Sequence, residues 1–185
     1  EISGEYEKLK TSEETMLAYA DQAYKTAGLS ANDYMQTVTG FAASLKQSTG
    51  DDMETLTTAA NQAVIDMADN ANKMGTEMAS IQNAYQGFAK QNYTMLDNLK
   101  LGYGGTKEEM ERLLADASRI SGIEYNLDNL SDVYAAIHVI QDQLGITGTT
   151  AKEAASTFSG SLASMKSAVQ NLLAKVTLGE KITGE

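Results

Sequence analysis

Across its 185 residues the chain has no proline. Proline locks φ, removes a backbone donor, breaks helix interiors and marks many turns. A chain this long without one favours long uninterrupted helices, and its 15 glycines must supply the breaks. The apolar residues use that freedom. They recur at alternating steps of three and four, which places them along one face of a helix. The expected fold class is therefore all-α: long antiparallel helices with coiled-coil-like seams, folded back at glycine-rich turns.

Six helices can be read along the chain. Thr11 and Glu14 have capping-box spacing and open a helix over 11–27, with Met16, Ala20, Ala23 and Ala27 in one stripe and Gly28 as its C-cap. Ser30 opens a second, 30–48, carrying Val38, Phe41, Ala42 and Leu45 and ending before Gly50. The third, 52–91, is the most regular. Met53, Ala60, Val64, Met67, Ala71, Met74, Met78, Ile81, Tyr85 and Phe88 form a single seam, with Thr57 filling one slot. Gly75 lies inside it, but the phase does not change across the glycine. An interior glycine costs only about 1 kcal/mol, so the spacing predicts one continuous helix of about 60 Å.

Gly102, Gly104 and Gly105 then interrupt the chain and are expected to act as a hinge. They divide an N-terminal part, 1–98, from a C-terminal part, 99–185. Thr106 with Glu109 caps a helix over 106–121 that carries Met110, Leu113, Leu114, Ala117 and Ile120. A short extended piece, Ile123 to Leu127, follows Gly122. Asn129 with Asp132 caps the next helix, 130–144, with Val133, Tyr134, Ile137, Ile140 and Leu144 inward. After the turn Gly145–Gly148, Thr150 with Glu153 caps a final long helix, 150–178. Its seam is Ala151, Ala155, Phe158, Leu162, Met165, Val169, Leu172 and Val176. Both long seams suit either a core or contact between copies, since Met and small residues on a two-in-seven stripe pack closely.

The stretch from Gly28 to Ser48 aligns without gaps on Gly148 to Ala168, with Ala31/Ala151, Thr37/Thr157, Gly40/Gly160, Ala43/Ala163, Ser44/Ser164 and Lys46/Lys166 identical. A Ser/Thr cap followed by small residues at helical spacing accounts for the match as readily as duplication does.

Composition removes whole classes of chemistry. There is no cysteine, hence no disulfide scaffold, thiol nucleophile or Cys-based zinc site. The single histidine, His138, lies four residues before Asp142 and could pair with it as a general base, but no nucleophile is placed beside it. A lone helical histidine is more often a partly buried, hydrogen-bonded group, and no enzyme activity or cofactor is expected. Glu124, Asp128 and Asp132 lack the glycine and glutamate positions of a calcium loop, and Asp51-Asp52 fits a helix N-terminus. Gly102–Thr106 precedes a helix start, where an anion can sit, yet it has neither the lysine nor the spacing of a phosphate loop. The formal charge of −11, from 25 acids and 14 bases, argues against binding a phosphate backbone. No apolar run reaches the roughly 18 residues of a membrane span.

Several strings resemble phage tail tape measure proteins, especially those of temperate phages of Gram-positive bacteria. They are Asn98–Ser118 (NLKLGYGGTKEEMERLLADAS), Asp132–Gln141 (DVYAAIHVIQ), Gly145–Ala154 (GITGTTAKEA), Gly160–Lys166, Asn70–Gly75 and Ala84–Lys90. The resemblance runs from about Ala18 to Leu173. It implies a virion structural protein around which the tail tube polymerises, so that its length sets tail length, and which leaves the tube at DNA ejection. Tail tube protein, tail assembly chaperones and tail tip proteins are the implied partners, and the two-in-seven stripes themselves point to association into homo-oligomers. Its implied location is the lumen of the tail tube, and the host cytoplasm during assembly. Membrane contact would arise only at infection, and no direct nucleic-acid binding is expected. The chain reads as an excerpt of a much longer one, and its glycine breaks suit a folded helical domain near one end of the tape. The alternative from another class is a secreted helical effector or export partner of a Gram-positive secretion system, but the Trp-x-Gly turn of such hairpins has no counterpart in a chain without tryptophan.

Overall fold

A computed structural model of the chain describes residues 2–177. Among the described residues the protein is all-helical. Its elements are α1 (Ile2–Thr26), α2 (Ala31–Thr39), α3 (Ala42–Thr49), α4 (Met53–Met74), α5 (Met78–Phe88), a 3-10 turn (Leu96–Leu99), α6 (Lys107–Ser121), α7 (Leu130–Gln143) and α8 (Thr149–Thr177).

Helix α4 is the hub. It packs against α1, α2, α3, α5, α7 and α8 and against the 3-10 turn. Its sequence explains this: Leu56, Ala60, Ala63, Val64, Met67 and Ala68 are all buried, so small and medium side chains let neighbours approach on several sides. The core between α3, α5 and α7 is aromatic. The Tyr134 ring lies 5.0 Å from that of Tyr85 and meets Phe41 edge-on at 5.6 Å. The Tyr134 hydroxyl donates to the Tyr85 carbonyl at 2.9 Å, which satisfies it at depth. The packing crosses the boundary drawn at residue 98, because α3 and α4 both touch α7 and α4 also touches α8.

Three helix boundaries differ from expectation, each for a physical reason. Helix α1 begins at Ile2 and not at Thr11. The Thr11 hydroxyl donates to the Glu7 carbonyl at 2.9 Å, inside a helix already under way, so its capping-box spacing is not used. The helix expected over 30–48 is broken between α2 and α3, where Phe41 leaves helical geometry at φ −135° and turns into the core against Tyr134. Most consequential, the expected continuous helix 52–91 ends at Met74. Gly75 takes the left-handed conformation (φ 64°, ψ 35°), and the N–H groups of Gly75 and Thr76 both donate to Ala71 O. The chain re-enters helix at Met78. The apolar phase continues across the break, with Val64, Met67, Ile81 and Tyr85 all buried, but the helix itself does not. Helix α5 then ends at Phe88, short of Gln91.

The remaining boundaries lie close to expectation. Ser30, Thr106 and Asn129 cap α2, α6 and α7 by accepting from the N–H groups of Asp33, Glu109 and Asp132. Asp52 caps α4, accepting from the Thr55 N–H at 3.0 Å and the Thr55 hydroxyl at 2.6 Å. The piece Ile123–Leu127 is irregular coil with no strand pairing. The two aligned stretches do not share a shape: α8 runs unbroken through Gly160, while the chain bends beside Gly40.

Candidate functional site

The two long seams meet different surroundings. On α4 and α5, Ala60, Val64, Met67, Ile81, Tyr85 and Phe88 are buried, and Met53, Ala71, Met74 and Met78 are half-buried against the same core. On α8 the seam leaves the body. Ala155 is exposed, and Leu162, Met165 and Val169 are 52%, 61% and 50% exposed. The side chains of Phe158 and Leu172 lie outside the described residues, as does residue 178.

Helix α8 is fastened to the body at its first turn. Asp69 of α4, fully buried, accepts from the Gly148 N–H at 2.7 Å and from the Thr150 N–H at 2.8 Å. A buried carboxylate at a helix N-terminus satisfies two donors that have no partner within the helix and complements its dipole. The cap expected from Thr150 and Glu153 is therefore supplied by a residue 79 to 81 positions upstream.

One helical turn away, Asp66 faces α7. Its side chain is 1% exposed, and Oδ1 lies 2.8 Å from His138 Nδ1 and 3.0 Å from Gln62 Nε2. Burial pushes the Asp66 carboxyl up, and its bond to Asp66 pushes the His138 imidazole up. The pair thus keeps a proton between α4 and α7 to higher pH than an exposed imidazole would. Asp66, and not Asp142, is the partner of His138. The layer continues inward: Gln141 Nε2 donates to Asp66 O at 3.2 Å, and Asn70 Nδ2 donates to Gln141 Oε1 at 2.8 Å and Leu99 O at 3.0 Å. Asp66, Asp69 and Asn70 were not singled out from the sequence. Their signal was there: three polar residues at i, i+3 and i+4 beside the most regular apolar seam of the chain.

The Asp66–His138 pair lies at one end of a groove of about 490 Å³ between α4 and α7. Ala59, Ala63, Ala135, Val139 and the rings of Tyr125 and Tyr134 line its less polar part, and Asp52 and Glu54 its acidic end; no lysine or arginine lines it. Hydrogen bonds from Thr55 hold the Asp52 carboxyl below the usual carboxylate range, so this end is negative at neutral pH.

The glycine loop is tied to α6. Gly104 N–H donates to Glu109 Oε2 at 2.9 Å, and Arg112 Nη2 donates to Gly102 O at 2.9 Å. The Arg112 guanidinium lies 4.3 Å from the Tyr103 ring centroid, and the Tyr103 hydroxyl donates to Asp116 at 2.7 Å. Arg112 and the Gly104 N–H bring the Glu109 carboxyl down to about 2, while burial and Asp116 bring the Tyr103 phenol up to about 12. Gly105 is required by space: a Cβ there would lie 2.2 Å from Thr94 O. Any hinge motion at Gly102, Gly104 and Gly105 has to break these bonds.

Among the described residues no group of three or more His, Asp or Glu side chains is arranged to hold a metal ion, and no helix is long and apolar enough to cross a membrane. No family model, curated protein or solved structure matches the chain.

Proposed function

We propose that the chain is a structural segment of a phage tail tape measure protein, a helical contact module with no catalytic role. The strings around Asn98–Ser118, Asp132–Gln141 and Gly145–Ala154 support the family reading. The structural observation that carries the contact role is α8: a regular apolar stripe, capped by Asp69, held clear of the core where another helix can reach it. In this reading the α4–α5 seam is coiled-coil-like packing between helices folded back on one another. The α8 seam joins this segment to further copies of itself. Tail tube protein, assembly chaperones and tip proteins are its partners, inside the tail tube and, during assembly, in the host cytoplasm. The charge of −11 keeps such a chain from adhering to DNA that uses the same tube.

The body around α4 supports reading this segment as a folded unit and not as the extended ruler. A continuous helix of 185 residues would span about 280 Å, and small-angle scattering of the chain should give a far smaller maximum dimension. The functional test is made on tails purified from an induced lysate of the encoding strain. Peptides of this chain should co-purify with the tails, and deleting 149–177 in frame should abolish or alter tail assembly seen by electron microscopy. Finding the chain in the culture medium of cells that make no particles would contradict the reading and favour a secreted effector.

A further inference from the structure

Resting on the reading of α8 as a contact between copies, though not on the tail assignment, we propose that the groove between α4 and α7 receives α8 of a second copy of this chain. Shape, charge and reach support the assignment. The apolar part of the groove includes Ala59, Ala63, Ala135 and Val139, small side chains that let a third helix lie close to both walls, with Tyr125 and Tyr134 also in the lining. Leu162, Met165 and Val169 of α8 are a half or more exposed and spaced to enter such a groove along one helical face.

The charges are complementary. From Ala154 to Thr177 the chain has two lysines, Lys166 and Lys175, and no acid. The groove has Asp52 and Glu54 at one end, His138 paired with Asp66 at the other, and no lysine or arginine in its lining. Pairing α8 with another α8 offers no such match. The positions flanking the seam are Lys152, Ser159 and Lys166 on one side and Ala154, Ser161, Ala168 and Lys175 on the other, so a parallel α8–α8 pair sets Lys166 against Ser161 and offers neither lysine an acid.

Reach makes the contact intermolecular. Asp69 and the Asn72–Glu153 hydrogen bond hold the start of α8 at the C-terminal half of α4, whereas the groove follows α4 from Asp52 to Asp66. The unbroken α8 leaves residues 159–170 exposed, off its own groove. Each copy therefore offers one helix and one groove. Such a head-to-tail contact uses two different surfaces and propagates into an open chain of copies unless it closes into a ring.

Two variants separate this contact from an α8–α8 coiled coil. The first removes the stripe, Leu162→Ser/Met165→Ser/Val169→Ser. The second fills and reverses the groove, Thr58→Arg/Ala135→Arg, at two exposed positions that leave the core intact. Circular dichroism verifies that both fold. In sedimentation velocity the wild type should associate with rising concentration, each variant alone should remain a monomer, and their mixture should form a complex of two chains through the one intact helix and the one intact groove. Lys166→Glu should weaken association at least about tenfold at low salt. The proposal is overturned if the groove variant alone associates like the wild type, if the mixture stays monomeric, or if Lys166→Glu leaves association unchanged.

Discussion

The seam of α4 and α5 and the seam of α8 are written in the same spacing and lie in opposite environments. Val64, Met67, Ile81 and Tyr85 have no exposed surface, while Leu162, Met165 and Val169 keep half or more of theirs. Periodicity specifies a face and says nothing about what covers it. What separates the two is the company each keeps. The first seam is flanked on α4 by Asp66, Asp69 and Asn70, polar groups that need partners from other parts of the chain and find them in α7, the 3-10 turn and the start of α8. The second is flanked by Ala, Ser and Lys, which need none.

The sharpest way to break this contrast is to truncate one residue of each seam. Met67→Ala should cost about 2–5 kcal/mol in urea denaturation, because a fully buried side chain leaves a cavity. Leu162→Ala should change monomer stability by less than about 0.5 kcal/mol. Equal losses at both positions would show that α8 is packed after all.

Between these extremes lie the polar anchors. Asp69→Ala leaves the buried donors of Gly148 and Thr150 without their acceptor, at a cost of about 1–3 kcal/mol. Amide exchange should accelerate first at the start of α8. Unchanged exchange there would mean that α8 is not held by this cap. Gly75→Ala forces a side chain into the left-handed region and should cost about 1–2 kcal/mol. If α4 and α5 were one helix, the same change would stabilise by about 1 kcal/mol, so the sign alone discriminates.

The smallest expected effect is the pH dependence. The His138 imidazole is raised in the folded state by its bond to Asp66, with Asp69 and Asp142 adding to it. A group whose folded value lies above its unfolded value of about 6.5 stabilises fully below that pH and loses its contribution as pH rises through the folded value. The Asp66 carboxyl, raised by burial, has the same sign. Stability should therefore fall as pH rises above the unfolded His138 value of about 6.5, and His138→Gln should flatten that slope. An unchanged slope would remove the pair from the stability of the α4–α7 contact.

Local signals were legible and distant ones were not. The caps at Ser30, Asp52, Thr106 and Asn129 and the turn glycines Gly28 and Gly122 are set within one helical turn, and the sequence alone places them. The Asp69 cap on α8 and the Asp66–His138 pair span 79 to 81 and 72 positions, and no spacing rule reaches that far. The break at Gly75 was hidden for another reason: apolar phase is blind to an interruption when the helices on both sides bury their stripes. At Phe41 the aromatic contact with Tyr134 outweighed helix continuity that the local sequence permits. The α4–α7 groove is a product of packing, and its two walls carry no common motif.

Sedimentation equilibrium of the unmodified chain puts the contrast between the two seams to its most direct test. If the α8 stripe is a contact surface between copies, the apparent mass rises above 19.8 kDa as concentration increases. A mass that holds at 19.8 kDa at every concentration would contradict it.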